Sequence, residues 1–243
     1  MTTAPAAIRL ASVSKVYGSG PGAVTALDEV SLGLGRGRFT AIMGRSGSGK
    51  STLLRCAAGS DRPTSGTVWL GDTDLSGLTQ PALTRIRLRH IGFLFEADDL
   101  LPALTVEQNI ALPLAERTVD RTWLRHVAAA VGLADRLGHR PSQLSGGARR
   151  RVAIARALIT RPAAIVADEP AGALDTRTGR QVLQLLREIV DRTGQTVVMA
   201  THDPMSASYA DRVVFLADGR LAGSLDEPCP LAIAERMTHL GAW

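Results

Sequence analysis

The feature that most constrains this chain is a glycine-rich turn at residues 44–51, which reads Gly-Arg-Ser-Gly-Ser-Gly-Lys-Ser. It matches the phosphate-binding pattern G-x-x-x-x-G-K-[ST], and it joins an apolar run at 39–43 to a helical pattern at 50–58, as that pattern requires. The glycines let backbone N–H groups surround phosphate oxygens, and the helix start adds partial positive charge. The sequence therefore predicts a nucleotide phosphate site that consists of Gly44, Arg45, Ser46, Gly47, Ser48, Gly49, Lys50, Ser51 and Thr52.

The basic residues are almost all arginines, because only Lys15 and Lys50 among the 28 lysines and arginines are lysines. We interpret the formal charge of +5 as compositional, so we expect no nucleic-acid partner. A lysine at position 50 is then informative, since this loop needs a compact ammonium that reaches the β- and γ-phosphates. The hydroxyl of Ser51 is expected to ligate Mg²⁺.

Membrane insertion is not expected from the sequence. No run approaches the roughly 18–20 apolar residues that a membrane-spanning helix needs. Residues 1–10 lack the basic start and apolar core of a secretory signal. Cys56 and Cys229 follow no metal-ligand spacing, and we expect them to be reduced thiols of a cytoplasmic protein.

Short β-type runs alternate with helical patterns, which predicts an α/β fold with a mostly parallel sheet. The predicted strands are 8–16, 23–30, 39–43, 67–70, 91–95, 163–167, 196–200 and 213–216, and the predicted helices are 50–58, 81–90, 121–131, 147–159 and 178–191. Only helical patterns occur between residues 95 and 163. We therefore predict one domain, in which a P-loop NTPase core with an N-terminal antiparallel β subdomain spans 1–95 and 162–243, and an inserted α-helical subdomain spans 96–161.

Two other apolar runs end in residues that suit catalysis. Residues 164–169 read Ala-Ile-Val-Ala-Asp-Glu, so we expect Asp168 to hold Mg²⁺ through a water and Glu169 to act as general base toward the attacking water. The run at 196–200 leads to His202, at the edge where parallel sheets bind ligands, and we predict that His202 contacts the γ-phosphate. The alternatives are a buried strand that meets an acidic turn and a structural histidine.

A second glycine-rich turn lies at residues 144–151, which read Leu-Ser-Gly-Gly-Ala-Arg-Arg-Arg. Ser145 suits the N-cap of the helix that follows, which is a sufficient structural explanation of the serine. Two glycines behind a cap weaken the first turn, and a phosphate that must approach the backbone would explain them. We therefore predict a second anion site at Ser145, Gly146 and Gly147.

Taken together, these motifs resemble those of the ATP-binding-cassette transporter ATPases, and the resemblance covers nearly the whole chain. The phosphate loop, the 144–147 signature, the Asp168–Glu169 pair, Gly-Ala-Leu-Asp at 172–175 and His202 have the family's order and spacing. The resemblance implies an ATP hydrolase with ATP and Mg²⁺ as cofactors, in which the signature of one subunit closes on ATP held by another. It also implies that Tyr17 stacks on adenine, with a core residue of the strand as the alternative, and that Asp175 communicates across the dimer.

Within the family, residues 100–114 resemble the macrolide-exporter and lipoprotein-releasing group, as do 139–144 and 207–212. That likeness implies a separate integral-membrane permease that the subunit joins on the cytoplasmic face of the membrane. It also implies a second ATP-binding subunit, with a homodimer expected, and an exporter or a mechanotransmission system. The sequence leaves open the transported substrate, the permease and the choice between homodimer and heterodimer.

Two positions depart from the family pattern. Glu96 stands where the family usually has a glutamine that contacts Mg²⁺, and a carboxylate can also ligate this ion. With Asp98 and Asp99 it forms an acidic cluster that we expect at the permease contact, although a solvated acidic turn is an equal alternative. Ala148 replaces the signature's closing glutamine, which can contact the sugar of the opposing nucleotide.

Three other functions stay open. The first is a nucleic-acid or ribosome-associated ATPase of the same superfamily, which the high pI would suit and which salt-dependent binding to RNA or DNA would reveal. The second is a weakly hydrolysing regulatory cassette, suggested by Glu96 and Ala148, and phosphate release would test it. The third is an importer subunit, which the short segment after Leu221 disfavours because it leaves little room for a regulatory domain.

Overall fold

The computed structural model describes residues 6–95, 100–114 and 118–240. Its strands are β1 (Ala6–Tyr17), β2 (Val24–Gly35), β3 (Phe39–Met43), β4 (Ser65–Leu70), β5 (Thr73–Asp74), β6 (Ile91–Leu94), β7 (Ala164–Asp168), β8 (Val197–Thr201), β9 (Arg212–Ala217) and β10 (Arg220–Asp226). Its helices are α1 (Lys50–Ala57), α2 (Gln80–His90), α3 (Val106–Ala111), α4 (Arg121–Ala130), α5 (Gly146–Leu158), α6 (Thr176–Thr193), α7 (Pro204–Ala207) and α8 (Pro230–His239).

A six-stranded sheet with the order β10-β9-β3-β8-β7-β6 forms the centre of the molecule. All its neighbouring strands are parallel except β9 and β10, which form an antiparallel edge. Every residue of β3 and β8 is buried, as expected for strands that are covered on both faces. The carboxyl ends of β3, β7 and β8 meet at one edge of this sheet, and the sequence motifs follow those ends.

A second, antiparallel sheet with the order β2-β1-β4-β5 covers helix α1. Its longest ladder joins β1 to β2, from Ala6 opposite Gly35 to Tyr17 opposite Val24. Apolar side chains of this sheet, including Ile8 and Val68, pack in one cluster with Leu53 of α1. The start of α1 is therefore held between the two sheets.

Between β6 and β7 the described residues contain helices and no strand, as predicted. Helices α3, α4 and α5 pack together through buried residues such as Ile110, Val127 and Val152, in the same cluster as the central sheet. At the start of α3, Thr105 Oγ1 accepts a hydrogen bond from Gln108 N, and the Gln108 side-chain oxygen accepts one from the Thr105 backbone N–H, so the helix begins with a capping box. The division of the chain into a core and an inserted helical subdomain remains a prediction.

Each predicted strand and helix is present, with bounds that differ by a few residues. The largest difference is β2, which extends to Gly35 because Leu32 and Leu34 continue the buried alternation beyond Val30. The sequence analysis did not identify β5, β10, α3, α7 and α8, most of which are short or exposed. The predicted α/β fold with an antiparallel β portion is confirmed, and no helix in the described part of the chain is long and apolar enough to cross a bilayer.

Candidate functional site

The turn between β3 and α1 has the geometry of a phosphate loop. Gly47 and Gly49 have φ angles of 81° and 101°, which glycine adopts without the strain that other residues would carry. Gly49 caps α1 without a side-chain hydrogen bond, so the first N–H groups of the helix are left to a ligand. The Lys50 Nζ folds back and donates to the carbonyl oxygens of Gly44 and Arg45 at 2.8 and 2.9 Å.

Two glycines of this loop are required by close backbone approach. A Cβ on Gly44 would collide with the carbonyl oxygen of Leu216, and one on Gly49 would collide with the carbonyl oxygen of Ala26. The loop is therefore held against β9 and β2 from within the chain. The Oγ of Ser48 is buried and has no hydrogen-bond partner in the described structure, which suits a phosphate oxygen.

A single cavity of about 710 Å³, which we call the phosphate cavity, brings residues of the phosphate loop together with the predicted catalytic residues. Its lining includes Lys50, Ser51, Asp168, Glu169 and His202, which come from three separate parts of the sequence. Burial lowers the pKa of Lys50 from its usual value, and the carboxylates of Glu169 and Asp168 partly oppose that shift. The cavity therefore combines a positioned ammonium with two acids and an imidazole.

The backbone of Glu169 has a φ of 45°, in the left-handed region that non-glycine residues seldom adopt. Its carboxylate accepts a hydrogen bond from Thr201 Oγ1 at 3.1 Å and from the His202 backbone N–H at 3.0 Å. The His202 Nδ1 lies 2.6 Å from the same carboxylate. The carboxylate is therefore fixed in the cavity by residues at the end of β8, and Thr201 is a contact that the sequence analysis missed.

The residues predicted to hold Mg²⁺ fit that ion in part of the site. The Ser51 hydroxyl and the Asp168 carboxylate line the same cavity, and both are the hard oxygen ligands that Mg²⁺ prefers. No group of three or more His, Cys, Asp or Glu residues in the described ranges forms a metal site by itself, as expected where substrate phosphates and waters complete the coordination. Glu96, Asp98 and Asp99 lie outside the described residues.

The second glycine-rich turn starts α5 in a different way. Ser145 is the N-cap, and its Oγ accepts a hydrogen bond from Ala148 N at 3.3 Å. A Cβ on Gly147 would lie 2.7 Å from Thr178 Cγ2, so packing against α6 explains this glycine. A Cβ on Gly146 would have no neighbour closer than 3.9 Å, so the fold of the chain does not explain that one.

The cavity at this turn measures about 380 Å³ and shares no lining residue with the phosphate cavity. It is lined by Ser145, Gly147, Ala148, Arg151, Thr178 and other residues of α5, α6 and the preceding loop. Neither Lys50 nor Glu169 reaches it. The structure thus does not bring the two predicted anion sites together within one chain.

Comparison with known proteins decides the family. The family model described as ABC transporter matches residues 27–172, which is more than half of the chain and includes both glycine-rich turns. The chain belongs to the ABC transporter family. Its catalytic class follows, and it is an ATP-binding ABC ATPase.

Two named relatives resemble this cassette at similar levels. The lipoprotein-releasing system ATP-binding protein LolD of Bordetella avium is 45% identical over 224 residues, which cover 90% of the cassette and 97% of that protein. The macrolide export ATP-binding/permease protein MacB of Salmonella typhimurium is 43% identical over 220 residues, which cover 89% of the cassette but 34% of that protein. The cassette is therefore of the LolD/MacB type.

Among solved structures, the ATP-binding cassette MJ0796 in a dimeric post-hydrolysis state with ADP and Pi is 37% identical. It superposes with a TM-score of 0.81 and covers 91% of this chain and 99% of its own. The predicted fold class, family and ATP-hydrolase activity are all confirmed by these likenesses. The roles of individual residues remain predictions.

Asp175 has a structural role inside the cassette. Its carboxylate caps α6 and accepts hydrogen bonds from the N–H groups of Arg177 and Thr178 at 3.1 and 3.0 Å. Hydrogen bonds from the Thr178 side chain and backbone lower the pKa of Asp175. The predicted role in dimer communication therefore adds to a capping function that the structure explains.

A buried arginine, which was not predicted from the sequence, joins α5 to the segment that follows β7. Arg150 of α5 is 1% exposed, and its Nε donates to the carbonyl oxygen of Pro170 at 2.8 Å. Its Nη1 donates to the carbonyl oxygen of Phe95, at the end of β6. Arg150 thus connects Pro170, the residue after Glu169, with Phe95, which lines an apolar groove beside β6. The buried role of Arg150 was not predicted because the residue stands in a run of three arginines, and such a run normally indicates a solvated surface.

The apolar groove beside β6 has a volume of about 440 Å³ and was also missed. Leu88, Phe95 and Leu112 line it with exposed side chains, while Ile91 and Ala157 are buried residues of the lining. The rings of Phe93 and Phe95 stack with their centroids 5.4 Å apart. Thr160 also lines the groove, and its Oγ1 is buried without a partner in the described structure. Such a surface suits an apolar protein segment that carries a polar group.

Proposed function

We propose that this cassette is the ATP-hydrolysing subunit of an exporter or mechanotransmission system, and that it drives a separate integral-membrane permease on the cytoplasmic face. The observation that carries the proposal is the single cavity that Lys50, Ser51, Asp168, Glu169 and His202 share. Those groups supply what phosphoryl transfer to water requires, namely phosphate positioning, metal ligands and a base.

The chemistry follows from the contacts of Glu169. A water in the cavity attacks the γ-phosphorus, its proton passes to the Glu169 carboxylate, and the bond to the β–γ bridging oxygen breaks as ADP leaves. Thr201 and His202 hold the carboxylate in place through the hydrogen bonds that they form with it. Mg²⁺ held by Ser51 and Asp168, with Glu96 as a further candidate ligand, would neutralise charge on the phosphates.

We propose that the complete site needs two cassettes. Ser145 and Gly147 line a cavity of their own, which is separate from the phosphate cavity of the same chain. A head-to-tail dimer would place the turn of one cassette on the ATP of the other, and the dimeric state of the MJ0796 cassette supports a pair of cassettes. Asp175 would then lie near the partner, and a homodimer is the simplest form.

The permease is proposed as a separate chain that docks at the groove beside β6. The name of the MacB relative includes a permease, and the cassette matches 34% of that protein. The LolD relative is named only as an ATP-binding protein, and the cassette matches 97% of it. A short apolar helix of the permease would cover Leu88, Phe95 and Leu112, while the inserted helical subdomain at 96–161 would form one wall.

The composite site can be tested by mixing two inactive variants. Lys50→Ala removes the ammonium that positions the γ-phosphate, while Gly146→Trp fills the open space at the signature turn. Each variant alone should be inactive, and Lys50→Ala should bind ATP far more weakly than the wild type. In a mixed dimer, the intact phosphate loop of one chain faces the intact signature of the other, so phosphate release should reappear.

The controls for this experiment are each variant alone at the total protein concentration of the mixture. Recovery should depend on protein concentration, as expected for a dimer. If the mixed variants remain inactive although both are folded, the site is not shared between chains. If Lys50→Ala binds ATP as tightly as the wild type, the phosphate-loop assignment is wrong.

A further inference from the structure

Lys15, the other lysine of this arginine-rich chain, lies beside Tyr17 rather than at the phosphate loop. Its Nζ donates to the carbonyl oxygen of Arg62 at 2.8 Å and lies 3.6 Å from Asp61 Oδ1. The same ammonium is 4.8 Å from the centre of the Tyr17 ring, within range of a cation–π contact. The Tyr17 hydroxyl in turn donates to Asp61 Oδ2 at 2.6 Å. We refer to these three residues as the Lys15–Asp61–Tyr17 cluster.

The cluster lies next to the phosphate cavity. Tyr17 pairs directly with Val24 across the β1–β2 ladder, and Val24 is one of the residues that line the cavity. Burial raises the pKa of Tyr17 above its usual value, as does its hydrogen bond to Asp61, while a hydrogen bond from Thr52 of the phosphate loop opposes the shift. Tyr17 therefore connects Lys15 and Asp61 with the helix that begins at Lys50.

Asp61 is itself fixed to both of the elements that it connects. Its backbone N–H donates to the carbonyl oxygen of Arg55, in the last turns of α1, at 3.1 Å. The loop that follows is tied to β1, because Thr64 N donates to Ser14 O at 2.8 Å and Val16 N donates to Thr64 Oγ1 at 2.9 Å. The phosphate loop lies at one end of α1 and Asp61 lies beyond the other, so a rigid helix sets the distance between them.

The ring of Tyr17 therefore has a restricted orientation. The Lys15 ammonium covers one face, the hydroxyl is held by a carboxylate, and the residue is still 37% exposed. Hydrogen bonds that involve an ionised group are shorter and stronger than neutral ones, so this contact resists rotation of the side chain. A held aromatic ring beside a phosphate site is a platform on which a flat base can stack.

We propose that Asp61 is a positioning residue for nucleotide binding, which holds the Tyr17 ring and the Lys15 ammonium so that the ring meets the base of ATP bound at the phosphate loop. This inference rests on the proposed function and on the adenine contact that the family resemblance implies for Tyr17. It assigns a role to Lys15 that parallels that of Lys50, since the two lysines of the chain then serve opposite ends of one nucleotide.

The test compares two probes, ATP and inorganic tripolyphosphate, which has no base, by titration calorimetry. Asp61→Ala should weaken ATP binding by about 3- to 10-fold, as expected for the loss of one hydrogen bond to a charged group, and should leave tripolyphosphate binding unchanged. Asp61→Asn keeps a carbonyl acceptor and should retain most of the affinity. Asp191→Ala is the matched control, because it removes an exposed carboxylate that pairs with Arg187 far from this cluster.

A double-mutant cycle shows whether Asp61 acts through the tyrosine. Tyr17→Phe keeps the ring but removes the hydroxyl, so Asp61→Ala in that background should cause little further loss of ATP affinity. Fully additive losses, an unchanged ATP affinity, or equal losses for ATP and tripolyphosphate would each overturn the inference. If the wild type bound neither probe, the proposed function would fail and this inference with it. The outcomes above, in contrast, overturn only the role of Asp61.

Discussion

Two glycine-rich turns start helices in this molecule, and they differ in what completes them. The turn before α1 has a glycine N-cap with no side-chain hydrogen bond, and Lys50 folds over it from within the same chain. The turn before α5 is capped by its own Ser145 side chain. The first turn is therefore open to an anion and already has its cation, while the second has one of its first N–H groups capped by its own serine.

The glycines of the two turns also differ in whether packing within the chain explains them. Gly44 and Gly49 are required by backbone carbonyl oxygens of neighbouring strands, and Gly147 is required by Thr178. Gly146 is the one of these four at which an added Cβ would meet only ordinary contacts, at 3.9 Å or more. Packing within the chain therefore does not explain its small size, which agrees with the proposed contact of this turn with a second cassette. A motif can be fully present in one subunit and still be incomplete as a site.

The largest expected effect separates binding from chemistry in the cavity that the first turn shares with Glu169. Glu169→Gln should leave ATP binding nearly intact but slow phosphate release by ~10²–10⁴-fold, because an amide cannot accept the proton of the attacking water. The unhydrolysed ATP should hold two cassettes together, so the variant should elute as a dimer with ATP and as a monomer without it. Hydrolysis at the wild-type rate would mean that another group is the base.

A pair of matched substitutions tests the contrast between the turns directly. Gly49→Ala should lower the free energy of unfolding by on the order of 3–5 kcal/mol, since it combines a φ of 101° with a collision against the Ala26 carbonyl. Gly146→Ala should raise it by roughly 0.5–1 kcal/mol, because alanine suits a helix better than glycine. Urea denaturation of both variants measures these changes.

Activity should divide in the opposite way from stability for Gly146→Ala. Although the variant is expected to be more stable, its phosphate release should fall if the second cassette approaches this turn as proposed, because the added methyl group would lie in that contact. Unchanged hydrolysis in a stable Gly146→Ala variant would mean that this turn tolerates a side chain at the dimer contact. The contrast between the two turns would then rest on the caps alone.

The parts of the site that the sequence predicted are those that depend on local backbone chemistry. The phosphate loop could be predicted because its glycines, Lys50 and Ser51 act through the turn that contains them. Asp168 and Glu169 could be placed because parallel strands bring their carboxyl ends to one edge. Ser145 was recognisable as an N-cap for the same local reason.

The parts that the sequence did not reveal depend on contacts between distant segments. Arg150 joins carbonyl oxygens 55 and 20 residues away, and no pattern near it indicates either partner. Asp61 meets Tyr17 across 44 residues, and it looks like an ordinary loop aspartate in the sequence. The groove beside β6 is formed by α2, β6 and α5 together, so it exists only once these elements pack.

A last expected effect concerns Gly147, which packing inside the chain explains. Gly147→Ala should lower the free energy of unfolding by ~1–3 kcal/mol, because its Cβ would lie 2.7 Å from Thr178 Cγ2. Thr178→Ser removes that methyl group and keeps the hydroxyl that bonds Asp175, so the double variant should recover most of the loss. Thr178→Ser alone is the control and should change stability little. If the double variant is as unstable as Gly147→Ala, the clash with Thr178 does not explain this glycine, and Gly147 joins Gly146 as a residue that the second cassette requires.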